Sequence, residues 1–351
     1  MLQTATNPLH TLIAPQTPPC ISLYQPTHRH HPDNAQDPIR FRNLLREIDQ
    51  SLRAAHPDAD FSALLAPLSA LADDDAFWNH RTDGLAVLVS ASTFEVFSLQ
   101  RPVQELAVVA NSFHTKPLLR ILQSADRFHT LWVSRHSARL FEGNRDAFDE
   151  MTLRQEPDAL PLAEGDEIDA DTQRFFRGID RRVLELHSRP TGLPVMLAAL
   201  GEHQTMFRTI SHNPFLIPEG IALNVDALEV DALRELAWQH MEPVYLARLA
   251  ALVDAYHTAS AHELASDELQ TVAMAALAGR VATLLIEADR EIPGRIDVDA
   301  GAVELADGSD ATIDDLLDDL AESVLRTQGD VVIVPTERMP TTTGVAAIYR
   351  F

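Results

Sequence analysis

Apolar positions recur along this chain with two periods, and the alternation between them predicts the elements. Cys20-Ile-Ser-Leu-Tyr24 is a short apolar run ended by Pro26, the signature of a buried strand. Phe41, Leu44, Leu45, Ile48 and Leu52 follow with helical spacing behind Pro38. A second helix is predicted through Phe61, Leu64, Leu65 and Leu68, and strands over Leu85–Val89, Phe94–Leu99 and Leu106–Ala110. His129–Ser134 and Ala138–Glu142 read as a hairpin. Residues from Asn144 to Ala170 form an acidic connection of the length reserved for functional or mobile segments.

Beyond it, Phe175, Phe176, Ile179, Val183 and Leu184 mark the apolar side of a helix from Thr172 to about His187. Leu193–Leu200 is an apolar strand, His203–Ile210 a helix and Ile221–Val225 a short strand. A long helical region opens near Val230, and Pro243 is expected to bend or break it. The last stretch alternates helix and strand: Asp267–Ala278, Val281–Glu287, Ile313–Leu325, Asp330–Pro335 and Val345–Phe351. This pattern predicts an α/β protein of three domains, divided as residues 1–127, 128–242 and 243–351.

Charge changes the picture most. The chain has 52 acidic and 28 basic side chains in 351 residues, a net charge of −24, and its one lysine is Lys116. Bulk electrostatic attraction to nucleic acid is thereby excluded, so any RNA contact must come from a local basic patch. Acidity rises along the chain, with net charges of −3, −9 and −12 in the three predicted domains. Asp314, Asp315, Asp318 and Asp319 concentrate it, either as a solvated helix face or as a docking surface for a basic protein partner.

Candidate chemistry is sparse. Cys20, the only cysteine, excludes an intramolecular disulfide and a cysteine-based zinc site. No run of about 18 apolar residues predicts a membrane span, and the N-terminus does not read as a signal peptide, so a cytoplasmic location is expected. There is no P-loop, no GxGxxG and no GxSxG. His28-Arg29-His30-His31 carries metal-ligand types but no ligand spacing, and His28 with Arg29 is better read as an anion or RNA contact. No cofactor or metal is expected. Arg174, Arg177 and Arg181 share one helix face, either pairing with Asp171, Asp180 and Glu185 or offering a phosphate-binding stripe.

Two longer motifs carry a family resemblance. Pro19-Cys-Ile-Ser-Leu-Tyr-Gln-Pro-Thr-His-Arg29, with Gln36-Asp-Pro-Ile-Arg40, and Gly329-Asp-Val-Val-Ile-Val-Pro-Thr-Glu-Arg-Met-Pro340 resemble the bacterial archaeo-eukaryotic release factor family, its family 3. Arg174-Phe-Phe-Arg177, Asn213-Pro-Phe-Leu216 and Glu219-Gly220 add to it. The family is similar to Pelota and the eukaryotic class I release factors. The resemblance implies an RNase H-like middle domain and a C-terminal α/β/α sandwich resembling kink-turn-binding ribosomal proteins. It also implies a ribosome and rRNA partner, with a GTPase or basic protein docking on the last domain.

The release factors carry a hydrolytic Gly-Gly-Gln tripeptide before an Arg-Phe-x-Arg helix start; here Ile168-Asp169-Ala170 stands at its position. The Asn-Ile-Lys-Ser stop-codon motif is absent as well. The resemblance therefore implies a ribosome-associated factor of rescue, quality control or hibernation without peptidyl-tRNA hydrolysis. Two alternatives stay open. One is a Mg²⁺-dependent RNA or nucleotide hydrolase using Glu142 and Asp146, and the other a protein-only scaffold docking through its acidic C-terminal domain.

Overall fold

The computed structural model describes residue 13 and residues 16–135, 137–151, 153, 167–223, 229–288, 290–297, 302–305 and 315–351. The α/β class holds, and the contacts group the chain into two compact units. One contains residues 125–254; the other joins residues 9–124 to residues 255–351. The first and last of the three sequence-predicted domains thus fold together.

In that joint unit, β1 (Cys20–Pro26) is followed by α1 (Asp37–Ala55) and α2 (Ser62–Ala72). Then come β2 (Gly84–Val89), β3 (Phe94–Leu99), β4 (Leu106–Ala110) and α3 (Lys116–Leu122), a helix the sequence reading lacked. The four strands form an antiparallel sheet in the order β3-β2-β1-β4. Side chains alternate across it. Ile21, Leu23, Leu85 and Val87 pack with Phe41, Leu44, Ile48 and Leu52 of α1. Cys20, Tyr24, Ala86 and Leu88 instead enter a cluster with Leu284, Ile286, Leu316 and Ile333 from the C-terminal segment.

The unit of residues 125–254 contains β5 (Phe128–Val133), β6 (Ala138–Gly143), β7 (Phe148–Met151), α4 (Glu167–Val183), β8 (Val195–Ala199), α5 (Gly201–Ile210) and β9 (Leu216–Ala222). Its sheet has the order β7-β6-β5-β8-β9. The β5–β6 and β6–β7 pairs are antiparallel, β5–β8 and β8–β9 parallel. Phe128, Trp132, Met196 and Ala198 face α6 (Val230–Ala261), while Leu131, Val133, Val195 and Leu197 face α4 and α5.

Two expectations are corrected here. The connection of 144–170 contains β7, and α4 already includes Glu167, five residues before Thr172. Helix α6 also runs through Pro243 unbroken. Proline removes one amide donor, and the carbonyl it would have served belongs to Gln239. Both Gln239 and Pro243 are exposed, so water can take over that acceptor. The boundary between the units falls later in the same helix, after Asp254.

The C-terminal segment adds β10 (Ala265–Ser266), α7 (Leu269–Leu277), β11 (Val281–Glu287), β12 (Gly294–Asp297), β13 (Ala302–Leu305), α8 (Leu316–Arg326), β14 (Asp330–Val334) and β15 (Val345–Tyr349). Its main sheet has the order β10-β15-β11-β14. An interior proline costs a helix roughly 3 kcal/mol, part of which water recovers at an exposed position. Pro243→Ala is therefore expected to raise the thermal midpoint of the unit containing residues 125–254 by several degrees; a lowered midpoint would show that Pro243 shapes the helix.

Candidate nucleic-acid interface

Helix α4 is amphipathic, and its buried side fixes what its outer side displays. Phe176, Ile179 and Val183 are buried against Leu131, Val195, Leu197 and Phe207. Asp180, also buried, accepts hydrogen bonds from Ser211 Oγ at 2.5 Å and from the His212 amide at 2.9 Å. Past Val183 the helix widens into a π-helical segment, Leu184–Ser188. Ser188 Oγ accepts from Asn213 Nδ2 at 2.8 Å, and Asn213 Oδ1 accepts from the Phe215 amide at 3.0 Å. The Asn213-Pro-Phe-Leu216 motif is thus a turn that clamps α4 to the sheet.

With that side held, Arg174, Arg177 and Arg181 all lie exposed. Arg174 pairs with Asp171 at 2.9 Å while its side chain stays 63% exposed, and Arg177 donates to Gln173 Oε1 at 3.3 Å. The expected partner Asp180 is turned inward instead. An exposed pair such as Arg174–Asp171 is worth little and is readily exchanged for another anion. Ile168-Asp169-Ala170, at the tripeptide position, is helical within α4 and not in an extended loop.

His28 and Arg29 belong to the other unit. His28 donates its amide to Asp37 Oδ2 at 2.7 Å, and its Nδ1 lies 2.8 Å from Asp37 Oδ1; Asp37 is fully buried at the start of α1. Arg29 forks onto Asp83, with Nε 3.0 Å from Oδ1 and Nη2 2.8 Å from Oδ2. These side chains fasten the β1–α1 loop, and carboxylates of the same unit already engage both.

The acidic residues also have partners within the chain. Asp314 lies outside the described residues. Asp315 caps α8, accepting from the Leu317 amide at 3.1 Å and the Ile292 amide at 3.0 Å, and it forms an ion pair with Arg120. Arg120 Nε lies 3.3 Å from Asp318 Oδ1, and Lys116 Nζ 3.4 Å from Asp319 Oδ1. The chain's one lysine and Arg120 are both on α3, the helix missed in the sequence. Lys116, the one lysine in so acidic a chain, was the available signal. Burial pushes the Asp318 carboxyl up to about 7, reinforced by Asp315 and Asp319 and opposed by Arg120 and Lys116.

A second buried cluster sits under the π-helical segment. Glu142 accepts from Arg127 Nη2 at 2.6 Å and Nε at 2.9 Å, and its other oxygen lies 3.9 Å from His129 Nε2. His129 is fully buried with neither ring nitrogen hydrogen-bonded among the described residues, and its ring meets His187 edge-on at 6.1 Å. Burial opposes ionisation of Glu142, but Arg127 and His129 outweigh it and bring the carboxyl down to about 2. Burial, aided by His129, lowers His187 to about 4. Glu142 therefore serves Arg127 in this geometry. Among the described residues no group of three or more His, Cys, Asp or Glu is placed to hold a metal ion. A cavity of about 270 Å³ in the same unit, lined in part by Arg127, Pro194, Phe215, Met241 and Tyr245, has no Ser, Thr, Cys or His in its wall. No helix of the described residues is long and apolar enough to cross a membrane.

Residues 127–280 match the family model of Bacterial archaeo-eukaryotic release factor family 3, so the family resemblance read from the sequence holds. None of the curated proteins matches the chain. Solved structures similar to it include an archaeal translation termination factor, 19% identical over 98% of this chain and 96% of that one, with a TM-score of 0.27. A ribosome-bound archaeal Pelota is 13% identical over 76% and 78%, with a TM-score of 0.42. Dom34 of S. cerevisiae is 13% identical over 75% and 74%, with a TM-score of 0.43.

The two buried clusters give opposite pH responses. Asp318 is raised above its unfolded value, so its contribution is present below about pH 4 and is lost as pH rises through about 7. His187 and Glu142 are lowered, so theirs is present above pH 6.5 and 4.5 and is lost as pH falls through about 4 and about 2. Asp318→Asn is expected to raise the thermal midpoint at pH 8 and leave it unchanged at pH 4. His187→Phe is expected to blunt the loss of stability between pH 6.5 and 4 in acid titrations followed by circular dichroism.

Proposed function

We propose that this chain is a translation factor related to release factors, which binds the ribosome at a tRNA-like site in rescue, quality control or hibernation and does not itself hydrolyse peptidyl-tRNA. The observation that carries the reading is the exposed face of Arg174, Arg177 and Arg181 on a helix clamped from behind by Asp180 and Asn213. Arginine forks suit phosphate, and a rigid helix holds them in register. The family match over residues 127–280 supports the class of partner. The helical Ile168-Asp169-Ala170 supports a role without the tripeptide's chemistry.

RNA contact is assigned first to Arg174, Arg177 and Arg181. His28 and Arg29 come second, because Asp37 and Asp83 already engage them. Docking of a GTPase or basic protein would use other acidic surface than Asp315, Asp318 and Asp319, whose partners are Arg120 and Lys116.

The test is co-sedimentation with 70S ribosomes, empty and stalled, across a salt series. Binding is expected to weaken with salt. The triple reversal Arg174→Glu, Arg177→Glu, Arg181→Glu is expected to lower affinity at least about tenfold and reduce the slope of log K against log salt by roughly 2–3. Wild-type binding by that variant would remove the helix from the interface, and no binding to either ribosome state at low salt would remove the function.

A further inference from the structure

Helix α4 carries a glycine in its interior, Gly178, between Arg174 and Arg181 on the arginine face. Interior glycine costs a helix stability relative to alanine, so its presence calls for a reason. Elsewhere the fold supplies one. A Cβ at Gly143 would lie 2.7 Å from the Phe148 ring, and one at Gly220 would lie 2.8 Å from the Leu197 carbonyl oxygen. At Gly178 the conformation is helical, and no described atom outside the helix backbone and the adjacent residues lies within 4 Å of a Cβ. Only Gly201 shares both properties among the described glycines, and it opens α5, where the penalty for glycine is small.

We infer that Gly178 is the point of closest approach for an RNA sugar-phosphate backbone laid across α4, with Arg174, Arg177 and Arg181 gripping the flanking phosphates. The inference rests on the reading of α4 as an RNA face and adds its geometry. Removal of a side chain lets a ligand backbone descend onto a helix, where a methyl group would hold it off. Guanidinium groups on either side of that gap supply charge opposite to phosphate. Leu186, 46% exposed one turn beyond Arg182, ends the polar face and limits the track to the N-terminal turns of the helix. Glycine here serves what binds, since nothing among the described residues occupies the space it leaves.

The experiment compares Gly178→Ala and Gly178→Leu with wild type and with the triple arginine reversal, using thermal melts and 70S co-sedimentation. Gly178→Ala is expected to raise the melting midpoint by about 2–4 °C and yet weaken ribosome binding several-fold; Gly178→Leu is expected to weaken it further. Competition by polyuridylate and not by polyglutamate is also expected. Wild-type binding by both glycine variants, with loss in the arginine variant, overturns the close approach and leaves the RNA face standing. Wild-type binding by all three overturns both. Equal losses for Ala and Leu point to helix stiffening and overturn the steric account, as does stronger competition by polyglutamate, which assigns the face to an acidic peptide.

Discussion

Strands β1 and β2 are apolar on both faces, and the joint unit is organised around that constraint. A sheet with one wet face needs one cover; this one needs two. Helix α1 covers Ile21, Leu23, Leu85 and Val87. Cys20, Tyr24, Ala86 and Leu88 would face water if the first domain stood alone, and the C-terminal segment buries them with Leu284, Ile286 and Leu316. The chain must therefore return across more than a hundred residues to close its first sheet. The acidic start of α8 can lie in that interior only because α3 brings Arg120 and Lys116 to it. Removal of Arg120 would strand the buried Asp318 carboxyl, which is far costlier than losing a surface pair.

The unit of residues 125–254 solves a different problem, the display of positive charge by an acidic protein. Every apolar position of α4 from Phe176 to Val183 points at the sheet, and Asp180 and Ser188 lock its orientation through the turn at Ser211–Phe215. The arginines are thereby held outward on a helix that cannot roll. Beneath the π-helical segment, the Arg127–Glu142 pair and the edge-to-face His129 and His187 rings place charge and unpaired nitrogen in the same interior. Together with Asp318 in the other unit, they make the two halves respond to acid with opposite sign.

Much of this was legible beforehand. The β1 run, the strands from Leu85 to Ala110 and the amphipathic α4 follow from local period alone, as do the exposed arginines, since residues opposite an apolar stripe must face outward. Helix α3 was missed because Lys116-Pro-Leu-Leu-Arg-Ile-Leu122 is too short to show a period. The continuity of α6 through Pro243 was missed because the propensity of proline is an average, and the exposure of Gln239 decides whether its carbonyl is left stranded.

By itself the sequence determined the α/β class, the family resemblance and the arginine face, because each is written in neighbouring residues or in recognisable motifs. Tertiary structure alone decided that the first and last segments share one core. It also decided that Asp315, Asp318 and Asp319 answer to Arg120 and Lys116, and that His28 and Arg29 answer to Asp37 and Asp83. These pairings join residues that only the folded chain brings together, and local period carries no record of which distant charge a buried carboxylate will meet.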